Sequence, residues 1–286
     1  MAVGISGTLG MDGTRADKVY EDAVHVARER NVMASLVLVK DDRNDDLPRQ
    51  YNEHPTLTST EVGEYDDIAT ATKFDRAAGA TVTPKEEAVQ VILTDKRRRA
   101  EGESVYSAIA FELGDALAKK VEQDLLGLFP SFTLAKGSAG SDLAFQQLFA
   151  AQAVLNGQGH RGKRKHCVLH EYQWFGMANS VSLEQSMKNT PEVLRNELAG
   201  KWYVGSIGEM DIFVTSEIDI DASDDAVGAI FVPEAILLDK RKAPTLEIER
   251  DASRRADELN MTVEYGVGLW APNAGVKLTG DATVPA

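Results

Sequence analysis

The sequence predicts an α+β fold in which one long helix lies along an antiparallel sheet, with a mixed α/β body between them in the chain. Three observations carry this. From Ser104 to Leu128, the residues Val105, Ile109, Leu113, Leu117, Val121, Leu125 and Leu128 recur at steps of three and four, one face of a 3.6-residue helix. From Leu259 to Leu269, apolar residues at every second position alternate with Asn260, Thr262, Glu264, Gly266 and Gly268, the period of a strand with one buried face. Between them in kind stands the stretch from Pro55 to Gly102, poor in large apolar side chains and rich in Thr, Asp and Ala. Loops of such length are uncommon inside a compact domain and usually have a function.

The long helix is the organising element. At 1.5 Å per residue it reaches roughly 36 Å, a strut rather than a core helix. Ser104 is its expected N-cap, and Phe129-Pro130 ends it. Gly114 costs about 1 kcal/mol against Ala, which marks close packing.

The totals set limits. A chain of 286 residues with 43% apolar residues buries a real core. Lys and Arg number 31 against 45 Asp and Glu, a formal charge of -14, which argues against a surface that grips nucleic acid or anionic lipid. Cys167 is the single cysteine, so no internal disulfide forms and a reducing compartment fits. The first residues show no basic region before an apolar core, and Ala226 to Leu238, the most apolar run, is too short to span a bilayer.

In chain order, an amphipathic helix is expected from Thr14 to Arg30, then a strand over Ala34 to Val39. Asp41 to Asp46 is a charged turn without the spacing of a calcium loop. Strand signals return at Ala80 to Thr83 and, past Pro84, at Ala88 to Thr94, which makes the polar stretch a long hairpin. The basic run Lys96 to Arg99 at its base is read as pairing with acidic groups of the same or a neighbouring chain. After the long helix come a Gly/Ser turn, a helix from Asp142 as N-cap to Asn156 with Gly157 as its stop, and a strand opening at Cys167. A short helix is bounded by Thr190, Pro191 and Gly200. Strands follow at Trp202 to Val204, Asp211 to Thr215 and Gly228 to Val232, with an acidic turn from Asp219 to Asp225. Leu246 and Ile248 belong to a partner of the long strand, Asp251 to Arg255 connects the two, and Gly275 to Leu278 is the last strand. This C-terminal sheet is expected to receive the helix stripe.

Chemical motifs are few. The chain holds no phosphate-binding glycine loop, no HExxH, no GxSxG and no CxxC. His160, His166, Cys167, His170 and Glu171 cluster in sequence, but His166 and His170 on one strand lie about 13 Å apart, too far to share a metal. Ordinary strand residues are the reading for these, and a solvated turn for Asp219 to Asp225. No catalytic, cofactor-binding or metal-ligating residue is assigned.

The order of parts resembles the tailed-bacteriophage major capsid protein, the HK97-like fold. The residues that carry the resemblance are ATVTPKEEAVQVILTDKRRR before the helix, LGDALAKKVEQDLL within it, CVLHEYQWFGM opening the central body, and LEIERDASRRADELNMTVEYGVGLWAPNAGVKL at the end. It implies an N-terminal arm and first strand over residues 1–54, an extended loop over 55–103, a spine helix in a peripheral domain over 104–141, an axial domain over 142–232, and peripheral strands with the C-terminus over 233–286.

The same resemblance implies assembly rather than catalysis: pentamers and hexamers of an icosahedral shell enclosing double-stranded DNA, a virion component assembled in the host cytoplasm. Its partners would be copies of itself, with scaffolding, portal and decoration proteins as separate chains, and no membrane. The negative charge fits a wall that leaves packaged DNA mobile. Some such proteins join a loop lysine to a neighbour's asparagine; Lys73 or Lys85 with Asn273 are the residues available here, without a local motif to mark them. Two alternatives stand beside this reading: an encapsulin-type compartment, and a soluble acidic enzyme with a site near His170 and Trp174.

Overall fold

A run of residues buried on both faces needs no alternation, and such a run lies at the centre of this molecule. The structure is a computed structural model that describes residues 32–41, 47–53, 57, 59, 61–62, 77–101, 104–179 and 203–285. Its elements are α1 (Met33–Leu36), β1 (Leu38–Asp41), β2 (Arg49–Glu53), β3 (Ala77–Val82), β4 (Lys85–Thr94), α2 (Asp95–Glu101) and α3 (Ser104–Leu126). They continue with β5 (Leu134–Gly137), α4 (Phe145–Leu155), β6 (Lys165–His170), α5 (Glu171–Asn179), β7 (Tyr203–Ile207), β8 (Met210–Thr215) and β9 (Asp225–Phe231). The chain closes with β10 (Ile236–Asp251), β11 (Ala256–Leu269) and β12 (Gly275–Asp281).

The described residues form three sheets. A six-stranded sheet has the order β5-β12-β9-β6-β8-β7, a four-stranded sheet the order β1-β10-β11-β4, and β2 pairs with β3 alone. β6 is the buried run: Lys165 through His170 are all inaccessible. Cys167 and Leu169 face a core closed by Leu148 and Leu155 of α4 and Trp174 and Met177 of α5. Val168 faces the opposite core, built from Leu125, Leu126, Phe129 and Phe132 at the end of α3 with Ile236, Leu238 and Tyr265. That second core therefore joins the helix end to both large sheets.

The long helix behaves as its stripe predicts. Val105, Leu113 and Leu117 are buried with Leu93 of β4 and Leu259 and Met261 of β11, while Leu125 enters the joining core. Gly114 is buried, as close packing requires. The helix ends at Leu126, and Phe129–Ser131 forms a single 3-10 turn.

Several expectations change. Ala34 to Val39 is not one strand: Met33–Leu36 turns helically first, because Met33 and Leu36 are the residues buried against α3. The stretch 55–102 is not one hairpin, since β3 pairs back with β2 whereas β4 joins β11 in the four-stranded sheet. Asp142 does not cap α4; the cap position is Ala144, whose amide donates to the side-chain oxygen of Gln147. The strand expected to open at Cys167 starts at Lys165 and ends at His170, where helix α5 follows at once. β10 begins ten residues before Leu246, at Ile236, and β5 carries no apolar pattern that would reveal it. The last strand leaves the C-terminal sheet and inserts between β5 and β9 of the six-stranded one. The expected helices at Thr14 to Arg30 and Thr190 to Gly200, the turn after Asp41, and Lys73 lie outside the described residues.

Candidate functional site

The β2–β3 ribbon pairs with neither large sheet, and it is held by a few specific groups at its base. Arg49 and Val82 are register partners across β2 and β3, and Asp239 and Gly266 are register partners across β10 and β11. The first pair sits on the second. Arg49 Nε donates to Asp239 Oδ2 at 3.1 Å. Arg241 donates to the same oxygen through Nε at 3.2 Å and Nη2 at 2.7 Å, and Nη2 also reaches the Leu47 carbonyl at 3.0 Å. Asp239 is wholly buried, which a carboxylate tolerates only when it is paired and hydrogen-bonded. Val82 is buried above two glycines: a Cβ on Gly268 would fall 2.5 Å from Val82 Cγ2, and one on Gly266 2.9 Å from Val82 Cγ1. The YGVG sequence is thus a notch in the strand. Sequence reasoning missed it, although two glycines on one face of an alternating strand are a readable signal.

Within the basic run, Arg98 pairs with acidic groups of its own chain. Arg98 Nη1 meets Asp257 Oδ2 at 3.1 Å, and Arg250 bridges Asp95 at 2.6 Å and Asp257 at 2.8 Å. The hydrogen bond from Arg250 holds the Asp95 carboxyl below its ordinary range. These pairs fasten α2 to the turn between β10 and β11.

The residues of the enzyme alternative are engaged in folding. Cys167 is fully buried, and burial pushes its thiol far up. His170 caps α5: its Nδ1 accepts from the Tyr172 amide at 3.1 Å, and its own amide donates to Gln173 Oε1 at 3.3 Å. Burial lowers the His170 pKa, which keeps the imidazole neutral and able to accept. His166 packs edge-on between Phe213 and Phe231, away from Cys167. Among the described residues no group of three or more His, Cys, Asp or Glu is placed to hold a metal ion, and no helix is long and apolar enough to cross a membrane.

A structure from Mycobacterium phage Che8 superposes with a TM-score of 0.70 at 18% identity, over 87% of this chain and 90% of that one. The capsid of cyanophage P-SCSP1u gives 0.66 at 12% identity, over 88% and 89%. This is the HK97-like capsid fold. A virus-like particle from Pyrococcus furiosus matches the same fold with a TM-score of 0.59 at 12% identity, over 92% of this chain and 98% of that one. No protein-family model matches the sequence, and no curated protein does.

Proposed function

We propose that this chain is a major capsid protein of a tailed phage, which assembles into the pentamers and hexamers of an icosahedral shell around double-stranded DNA. The observation that carries the reading is the likeness of most of the chain to phage capsid structures, over 87% and 88% of its length. Its role is structural, since Cys167 and His170 are occupied in holding the fold.

The parts then have physical tasks. The β2–β3 ribbon and the loop beyond it lie over a neighbouring subunit, where segments unable to bury a core alone gain buried surface. The six-stranded sheet with α4 and α5 forms the axial domain around the five-fold and six-fold axes. In this division the extended loop starts at β2 rather than at Pro55, β4 is peripheral, and β12 belongs to the axial sheet. Copies of this chain are the main partners, with scaffolding, portal and decoration proteins supplied by other chains. The formal charge of -14 leaves enclosed DNA mobile rather than bound.

A compartment holding protein cargo is the second reading; the Pyrococcus furiosus match is to a virus-like particle and not to a phage capsid by its name. Particles purified from producing cells and treated with nuclease distinguish the two. Protected double-stranded DNA, released without added salt when the shell is opened, is the expected result. Particles that protect only protein would replace the capsid reading with the compartment.

A further inference from the structure

Two stacked register pairs join the hairpin to the sheet, one by charge and one by shape. A single contact would leave the ribbon free to rotate about it. Two contacts at neighbouring points, Arg49 on Asp239 and Val82 in the glycine notch, fix an angle as well as a place. We propose that these contacts form a clamp that sets the direction in which the extended hairpin leaves the sheet, with Arg49 and Val82 as its positioning residues. The clamp is a property of the single chain and goes beyond the assembly reading, so its test needs no shell.

Three features bear on it. Gly266 and Gly268 weaken the strand, a sacrifice that serves close approach of Val82. Asp239 gathers Arg49 and Arg241 on one oxygen, and Arg241 also holds the Leu47 carbonyl, so the ionic point grips the ribbon at its first residue and two residues before it. Finally, a cavity of about 350 Å³ opens beside the β3–β4 linker, bounded by Thr83, Lys85, Asp124 and Tyr265. On its other side the linker lies over Gly266 and runs into Lys85, which pairs with Tyr265, so the sheet fixes where the ribbon starts and the clamp sets where it points.

Spin labels on cysteines placed at Ala77, at the far end of β3, and at exposed Ala116 on α3 report the direction by pulsed EPR on the dilute chain. Buried Cys167 takes no label. The parent is expected to give one narrow distance distribution. Gly268→Ala puts a methyl against Val82 Cγ2 and is expected to shift or broaden it. Gly268→Ala with Val82→Ala is expected to return to the parent distance, because the Val82 Cβ itself stays 3.6 Å from the new methyl. Arg49→Met removes the ribbon's own ion pair while Arg241 stays on Asp239 and the Leu47 carbonyl, and is expected to broaden the distribution about an unchanged centre. An unchanged narrow distribution in Gly268→Ala, or a double variant that stays displaced, overturns the clamp. If Gly268→Ala does not fold, the Arg49→Met distribution decides, and a narrow one overturns it.

Discussion

The amide of Met33 donates to Oε2 of Glu122 at 3.0 Å, joining the first described turn of the chain to the C-terminal end of the long helix. Both residues are buried, and Met33 packs with Leu125, Leu126 and Phe129. Burial raises the Glu122 pKa from 4.5 to about 7, opposed by the Met33 hydrogen bond and aided by Glu217, which itself pairs with Lys119 at 3.3 Å.

The sign follows from linkage. The folded chain binds this proton more tightly than the unfolded chain, so stability from Glu122 is full below about pH 4.5 and declines until about pH 7. The whole change is about 3 kcal/mol. Glu122→Gln keeps an acceptor for Met33 and is expected to flatten the stability curve between these limits. Urea denaturation at a series of pH values checks this, and a variant with the parent's slope contradicts it.

Gln173 ties three elements together. Its Nε2 donates to the Ala226 carbonyl at 2.7 Å and to the Gly280 carbonyl at 3.1 Å, while Oε1 accepts from His170. Replacing it with Leu leaves these buried groups unpaired, and a loss of roughly 3–5 kcal/mol is expected. Chemical denaturation gives the number directly, and a loss under 1 kcal/mol would show that water repairs the site.

Asp239→Ala strands Arg241 in the interior and is expected to cost about 3–5 kcal/mol. Replacing Asp239 with Leu and Arg241 with Met together is expected to recover most of that, since a packed apolar pair has no charge to desolvate. Thermal unfolding of the single and double variants tests the pair.

Cys167 sits at the centre of the six-stranded sheet with a thiol held protonated. Thiol reagents are expected to leave it unmodified in the native chain and to modify it fully in denaturant. Rapid native labelling would reopen the enzyme alternative.

The elements legible in the sequence are those that bury one face only. The α3 stripe and the β11 alternation each follow from a single helix–sheet contact, and the structure shows that contact through Leu113, Leu117, Leu259 and Met261. β6 hid its neighbour α5 because both strand faces are covered, so no periodicity marks where extension stops. β2, Arg-Gln-Tyr-Asn-Glu, has no apolar pattern because its strand pairs only with β3. Strand order lay beyond reach as well: nothing local in Gly275–Asp281 tells which sheet it enters, a choice made by Val276 and Leu278 packing in the core under α4 and α5. At the hairpin root, charge could be read in Arg49, Asp239 and Arg241, but their convergence across 190 residues could not.

The central claim is assembly, and electron microscopy with light scattering tests it most directly, on the chain expressed alone and together with its neighbouring genes. Closed icosahedral particles, or rings of five and six subunits, are the predicted result. A uniform dimer or tetramer under both conditions would contradict it.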